Sequence, residues 1–422
     1  MVRKLWATVI VIAAAVAAAV VIAVHVPDPG ISPELAKHQP DVTHGQYIFT
    51  LGDCAACHTK PGGKTLAGGL PLQTPLGTIY ATNITPDRDT GIGNYSFADF
   101  ARAMRLGVRP DGARLYPAMP YTAYAKMSDE DVQDLFAYLQ KNIAAVSQTP
   151  PANTIGWPLN QRWPLAFWNV VFLDTSHFTP DPAKDASWNR GAYIVEGLEH
   201  CGECHTPRGV AQNLDNAQKF AGAVLQGWKA YNITASKPSG VGGWSDDALA
   251  SYLGTGHADG HSSASGPMAE AVDNSLRYAT PDDIHAIVAY LRGVAPIDNT
   301  PAIAQDPPAA NEASPPPGLG VQVFAGNCAN CHDWDGKGVQ SPYADLRGSR
   351  TVNDPDATNL TAILLAGSNA PLPVEHAFMP PFARGHTDDE LAAVANFVNG
   401  FFGNGTAKVT AADIGKARKA LP

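Results

Sequence analysis

The chain opens on its most apolar stretch. Leu5 to Val24 is twenty residues without a charge, about 30 Å as a helix and long enough to cross the hydrocarbon core of a bilayer. Arg3 and Lys4 precede it, and basic flanks stay on the cytoplasmic side. The pattern predicts an N-terminal transmembrane helix, with the rest of the chain outside the cytoplasm. The competing reading is a cleaved signal peptide, with Ala17, Ala18 and Ala19 at the cleavage site. The apolar run continues past that site, which favours a retained anchor. Both readings export the chain.

After residue 40 the apolar positions fall at helical spacing, and the pattern repeats. The segments 128–140 (SDEDVQDLFAYLQ), 280–292 (TPDDIHAIVAYLR) and 387–399 (TDDELAAVANFVN) each begin with a residue able to cap a helix: Ser128, Thr280 or Thr387. Asp131, Asp283 and Glu390, three residues on, stand where a capping-box partner belongs, with aspartate the shorter substitute. Tyr138, Tyr290 and Phe397 occupy equivalent places and are expected in the core. Upstream, GQYIFTLGDCAACHT (45–59) matches GAYIVEGLEHCGECHT (191–206) and, more loosely, GVQVFAGNCANCHD (320–333). Between these ends, TNITPDRDTGIGNYSFADFARAMRLG (82–107) matches YNITASKPSGVGGWSDDALASYLGTG (231–256), and the third copy shortens this to TNLTAILLAGS (358–368).

Repeats of this size predict three helical modules. The expected division is a lead-in over 1–40, modules over 41–148, 188–298 and 319–402, linkers over 149–187 and 299–318, and a tail over 403–422. The second linker has six prolines and reads as a semi-stiff tether. The first holds Trp157, Trp163 and Trp168. A linker this aromatic must bury itself, either between modules one and two or against a partner or membrane face. Asn83, Asn232, Asn359 and Asn404 fit the glycosylation pattern. Three of them recur as module elements, so a structural role is the stronger reading.

Composition narrows the function. Of 422 residues only 16% are charged, and the net charge is 29 − 39 = −10. With no basic stripe, this argues against nucleic-acid binding. Glycine and proline together number 39 + 35 = 74, which fits a compact, loop-rich chain.

All six cysteines stand in three strings, CAACH, CGECH and CANCH: Cys54, Cys57 and His58; Cys201, Cys204 and His205; Cys328, Cys331 and His332. A disulfide framework leaves the histidine accidental three times. Zinc clamps use two pairs, and three pairs leave one over. A thioredoxin-like redox pair needs no histidine. Covalent haem c attachment requires this spacing and order, because both tethers and the iron ligand must lie on one short helical turn. The strings therefore predict three covalent haem c groups, with the six cysteines as tethers and the three histidines as axial ligands. His200, just before the second string, is expected to be a surface or supporting residue. The proximal imidazoles are expected to donate their free N–H to a backbone carbonyl, with the turns at Pro61 and Pro207 as candidates.

Methionine supplies the other axial position in many electron-transfer haems. Met119, Met268 and Met379 each sit beside a proline at a matching module position. They follow the histidines by 119 − 58 = 61, 268 − 205 = 63 and 379 − 332 = 47 residues. The last is short by about the amount missing from the third module. Met104 and Met127 have no counterparts and read as packing. His257, His261, His376 and His386 do not recur. Irons closed on both faces favour electron transfer over catalysis, so no catalytic residue is assigned.

With these motifs in view, the chain resembles the three-haem cytochrome c subunits of bacterial membrane-bound dehydrogenases, such as alcohol, gluconate and sorbitol dehydrogenases. Similar cytochromes accompany some molybdenum-containing oxidoreductases. The likeness spans about residues 41–402. It implies an all-α fold, with three tandem class I cytochrome c-like domains after the N-terminal transmembrane helix. It also implies a catalytic dehydrogenase partner carrying a quinone, flavin or molybdenum cofactor. Electrons would pass to membrane ubiquinone or a terminal oxidase. The chain would be anchored in the inner membrane, with its bulk in the periplasm. The alternatives are a multihaem peroxidase and a cytochrome module feeding a haem-copper oxidase.

Overall fold

A computed structural model describes residues 25–298, 315–339, 341–368 and 379–421, together with Val11, Ala17 and 20–22. The chain divides into two compact units. One is 1–179 with 196–200, and the other is 180–195 with 201–422.

The expected membrane anchor is overturned. Among the described residues no helix is long and apolar enough to cross a membrane. Most of Leu5 to Val24 lies outside the described residues. The anchored inner-membrane placement inferred from that segment is withdrawn with it. The fold is also not purely helical, because three two-stranded antiparallel ribbons interrupt the helices.

The repeats share one scheme, in which an opening helix crosses a closing helix. The pairs are Val42–Leu51 with Asp129–Asn142, Ala186–Tyr193 with Pro281–Arg292, and Leu319–Asn327 with Asp388–Phe402. Each crossing is made at a glycine. A Cβ on Gly45 would lie 2.0 Å from the Asp134 carbonyl oxygen, on Gly191 1.8 Å from that of Ala286, and on Gly320 2.3 Å from that of Ala393. Only hydrogen fits there, which lets the two backbones touch. Beside each crossing an aromatic pair fills the angle: Phe49 with Tyr138 at 5.3 Å, Trp188 with Tyr290 at 5.1 Å, and Phe324 with Phe397 at 5.2 Å. Of the three aromatics that recur in the closing helices, Tyr290 and Phe397 are buried in the core and Tyr138 is half-buried beside its crossing.

The closing helices start as their sequences indicate. Ser128, Thr280 and Thr387 accept from the backbone N–H three residues on. Glu390 completes the reciprocal bond of a capping box. The shorter Asp283 takes a two-pronged bond from Arg190 at 2.7–2.8 Å.

In the first unit, the aromatic linker folds back on the first repeat. Its helix, Leu165–Phe172, sets Trp168 edge-on to Tyr121, and Asn169 bridges the Tyr121 hydroxyl and the Leu106 carbonyl, both at 2.9 Å. Arg162 lies over the Tyr116 ring at 4.1 Å. Trp157 and Trp163 stay exposed, at 81% and 56%.

The first unit also holds a buried acid, Asp134. Its carboxylate accepts from His38 Nε2 at 2.7 Å, the Asp41 N–H at 2.8 Å and His44 Nδ1 at 2.9 Å. Burial opposes its ionisation, but these hydrogen bonds prevail and hold its pKa below the ordinary value. A depressed carboxylate pKa adds stability that is full above the unfolded value near 3.9 and is lost as pH falls through the folded value. Asp134→Asn is therefore expected to be less stable than wild type from neutral pH down to about pH 5, with the gap closing below about pH 4. Urea unfolding across pH checks this, and a gap independent of pH would contradict it.

In the second unit the ribbon Ala223–Leu225 with Trp228–Ala230 mirrors Pro71–Thr74 with Gly77–Tyr80 of the first. The third repeat has a single short turn, Pro342–Ala344, in that place. The proline-rich tether lies mostly outside the described residues. The third repeat nonetheless packs on the second: Lys229 pairs with Asp354 at 2.9 Å and Asp356 at 2.7 Å, and Asn359 exchanges two bonds with the Lys229 backbone. Asn359 thus mimics a strand on the ribbon's edge. By contrast, Asn83 and Asn232 are buried and accept from the backbone two residues on, at Thr85 and Thr234. At these two sites the sequon residue is a turn-former inside the fold.

Candidate functional site

Each cysteine string forms one short helical turn: Cys54–His58, Gly202–His205 after Cys201, and Ala329–His332 after Cys328. The second copy has one more residue between its crossing glycine and its first cysteine than the first copy: 201 − 191 = 10 against 54 − 45 = 9. A π-helical turn at Ile194–Leu198 precedes the cysteine, and such a turn takes up an extra residue within a helix.

None of the six cysteines is in a disulfide. Burial pushes the Cys54 thiol up to about 12 and the Cys328 thiol up to about 11. Such thiols are poor nucleophiles, unlike those of redox-active pairs. Among the described residues no group of three or more His, Cys, Asp or Glu is placed to hold a metal, so the pairs are not gathered into a zinc clamp.

The histidines share one geometry. His58 Nδ1 meets the Thr82 carbonyl, His205 Nδ1 that of Tyr231, and His332 Nδ1 that of Ala344, each at 2.6 Å. A carbonyl only accepts, so each Nδ1 carries the proton and each Nε2 keeps its lone pair. Burial lowers the proton affinity of all three rings, which keeps them neutral and able to ligate. The acceptors are not the turns at Pro61 and Pro207. In the first two repeats they lie just past the ribbon. In the third the short turn Pro342–Ala344 supplies the oxygen, 344 − 332 = 12 residues on.

The methionines share a register that the sequence reading did not use. Gly107, Gly256 and Gly367 each end a helix with positive φ, at 61°, 79° and 78°. Each precedes its methionine by twelve residues: 119 − 107, 268 − 256 and 379 − 367. Gly107 and Gly256 are left-handed helix caps, while Gly367 leaves its helix with ψ near 179°. Met119 lies in the loop between Tyr116 and Tyr121, Met268 begins the helix Pro267–Asn274, and Met379 pairs with Ser368. Met104 and Met127 are buried packing. His257 is engaged by Asp259 and Ser263, and His261 stacks on Trp244 at 4.3 Å. His376 lies outside the described residues.

The third repeat brings Cys328, Cys331, His332 and Met379 to the wall of one cavity, with Phe324, Leu360, Val394 and Val398 as apolar lining. Paired thiols, a neutral imidazole with a free nitrogen, a thioether and an apolar wall fit a covalently held haem.

The recurring helix crossings and attachment turns define a c-type cytochrome of tandem modules. The sequence profile of the cytochrome c family matches residues 42–142 and 318–401. The chain is 42% identical to the gluconate 2-dehydrogenase cytochrome c subunit of Pantoea cypripedii, over 90% of this chain and 89% of that protein. It is 37% identical to the fructose dehydrogenase cytochrome subunit of Gluconobacter japonicus, over 91% and 84%. It is 39% identical to the cytochrome c subunit of the quinone-type alcohol dehydrogenase of Gluconacetobacter polyoxogenes, over 89% and 84%. The chain belongs to the family of dehydrogenase cytochrome c subunits. Its role is electron transfer within a dehydrogenase complex rather than substrate oxidation.

Proposed function

We propose that the chain carries three haem c groups in series. They are tethered by Cys54 and Cys57, Cys201 and Cys204, and Cys328 and Cys331. His58 and Met119, His205 and Met268, and His332 and Met379 close the irons. The observation that carries this reading is the imidazole geometry, made three times at one distance, which leaves three lone pairs for metal. Bound haem supplies a one-electron couple. The protein's residues hold it covalently, keep the imidazoles neutral and exclude water with apolar walls. Thioether ligation favours the ferrous state and raises the potential.

The electron donor is a catalytic dehydrogenase subunit. The relatives' names point to oxidation of a sugar, sugar acid or alcohol by that partner. The acceptor is a quinone or a terminal oxidase. The peroxidase alternative needs an acid–base group over an open iron, and each attachment string here has a methionine in register. Intact mass of the protein matured with haem is expected to exceed that of the bare chain by three haems. A gain of two would overturn the count.

A further inference from the structure

The three imidazoles differ in the charge beside them. Besides burial, His58 feels the Thr82 carbonyl, His332 the Ala344 carbonyl and the Asp345 charge, and His205 the Tyr231 carbonyl and the Arg350 charge. Arg350 belongs to the third repeat, 350 − 205 = 145 residues away in sequence. It begins the short helix Arg350–Asn353 and is 6% exposed. Its backbone N–H donates to the His261 carbonyl at 2.7 Å. Its guanidinium lies 4.8 Å over the ring of Tyr231, the residue whose carbonyl takes the His205 proton, and it donates to the carbonyls of Ser239 and Asn232. Its Nε has no partner. No carboxylate lies within ion-pair distance among the described residues; Asp354 acts on the guanidinium only at longer range and is itself paired with Lys229.

An arginine buried without a counter-ion is costly unless something nearby draws on its charge. Reduction of an iron adds one negative charge. In a poorly screened interior, a fixed cation lowers the reduced state more than the oxidised one.

We infer that Arg350 is the counter-charge of the second haem site, raising that haem's potential and making it depend on the docked third repeat. Arg350 is a positioning and tuning residue, since the argument needs its charge and no bond to the haem. The inference rests on the reading of Cys201, Cys204 and His205 as a haem site.

The test is a spectroelectrochemical titration of the full three-haem chain. The component that moves when Met268 is replaced by histidine identifies the second haem. In Arg350→Gln that component's ratio of reduced to oxidised haem, at fixed applied potential, is expected to fall about tenfold, which is about 59 mV for one electron. The other two components should stay in place, and Arg350→Lys should retain most of the wild-type value. Lys229→Gln, which loosens the same contact and keeps Arg350, separates charge from packing. Four results would overturn the inference: no shift in Arg350→Gln, a common shift of all three components, a lysine variant that behaves like glutamine, or an equal shift in Lys229→Gln. If the haem-site reading itself is wrong, intact mass shows fewer than three haems before any titration.

Discussion

Gly320→Ala is expected to lower the melting temperature of the second unit by about 6–12 °C, while Gly326→Ala, six residues on in the same helix, leaves it unchanged or slightly higher. The added methyl at residue 320 would sit 2.3 Å from the Ala393 carbonyl oxygen and 2.8 Å from the Phe397 Cβ. The first contact is backbone and cannot rotate away, so the two helices must part. Overpacking costs about 1–3 kcal/mol, a clash with backbone that cannot rotate away puts it at the top of that range, and for a unit of this size each kcal/mol is worth about 2–4 °C. The same methyl at residue 326 meets nothing within 4 Å. There alanine removes only the helix penalty of glycine, about 0.5–1 kcal/mol. Thermal unfolding followed in the Soret region separates the two. Equal melting temperatures would show that the crossing does not depend on close backbone contact.

Met379→Leu is expected to remove about one third of the methionine-to-ferric charge-transfer absorbance, one of three equivalent contributions. The potential of one component should fall as the thioether is lost. Met127→Leu is the matched control. Met127 is 1% exposed and a core residue, so the swap is close to volume-conserving and costs under about 1.5 kcal/mol with the band intact. Near-infrared absorption of the oxidised chain reads both variants. An unchanged band in Met379→Leu would remove this residue from the ligand set. The third site suits the test, since Met379 shares a cavity wall with His332.

Much of this was legible in the sequence because the signals are local. The distance from a cysteine to the next cysteine and histidine is a property of one helical turn. A cap lies three residues from its partner, so Ser128, Thr280 and Thr387 could be recognised without a fold. The methionine register was present too, as a glycine twelve residues ahead, although the reading used the neighbouring prolines instead. At the N terminus the uncharged run Leu5 to Val24 predicts a membrane helix, but no described helix is long and apolar enough to cross a membrane, and most of that run lies outside the described residues.

Sequence by itself determined the number of attachment turns, the helical repeats and the family, since each depends on spacing along the chain. Only the tertiary structure decided which carbonyl receives each imidazole proton, because Thr82, Tyr231 and Ala344 are set by how the ribbon or its replacement folds back. It also decided that the third repeat packs on the second, that the aromatic linker returns to the first, and that Arg350 lies beside a histidine 145 residues away. The physical reason is the same throughout. Covalent and helical constraints reach a few residues and leave a pattern, whereas burial and charge act through space between residues whose separation carries none.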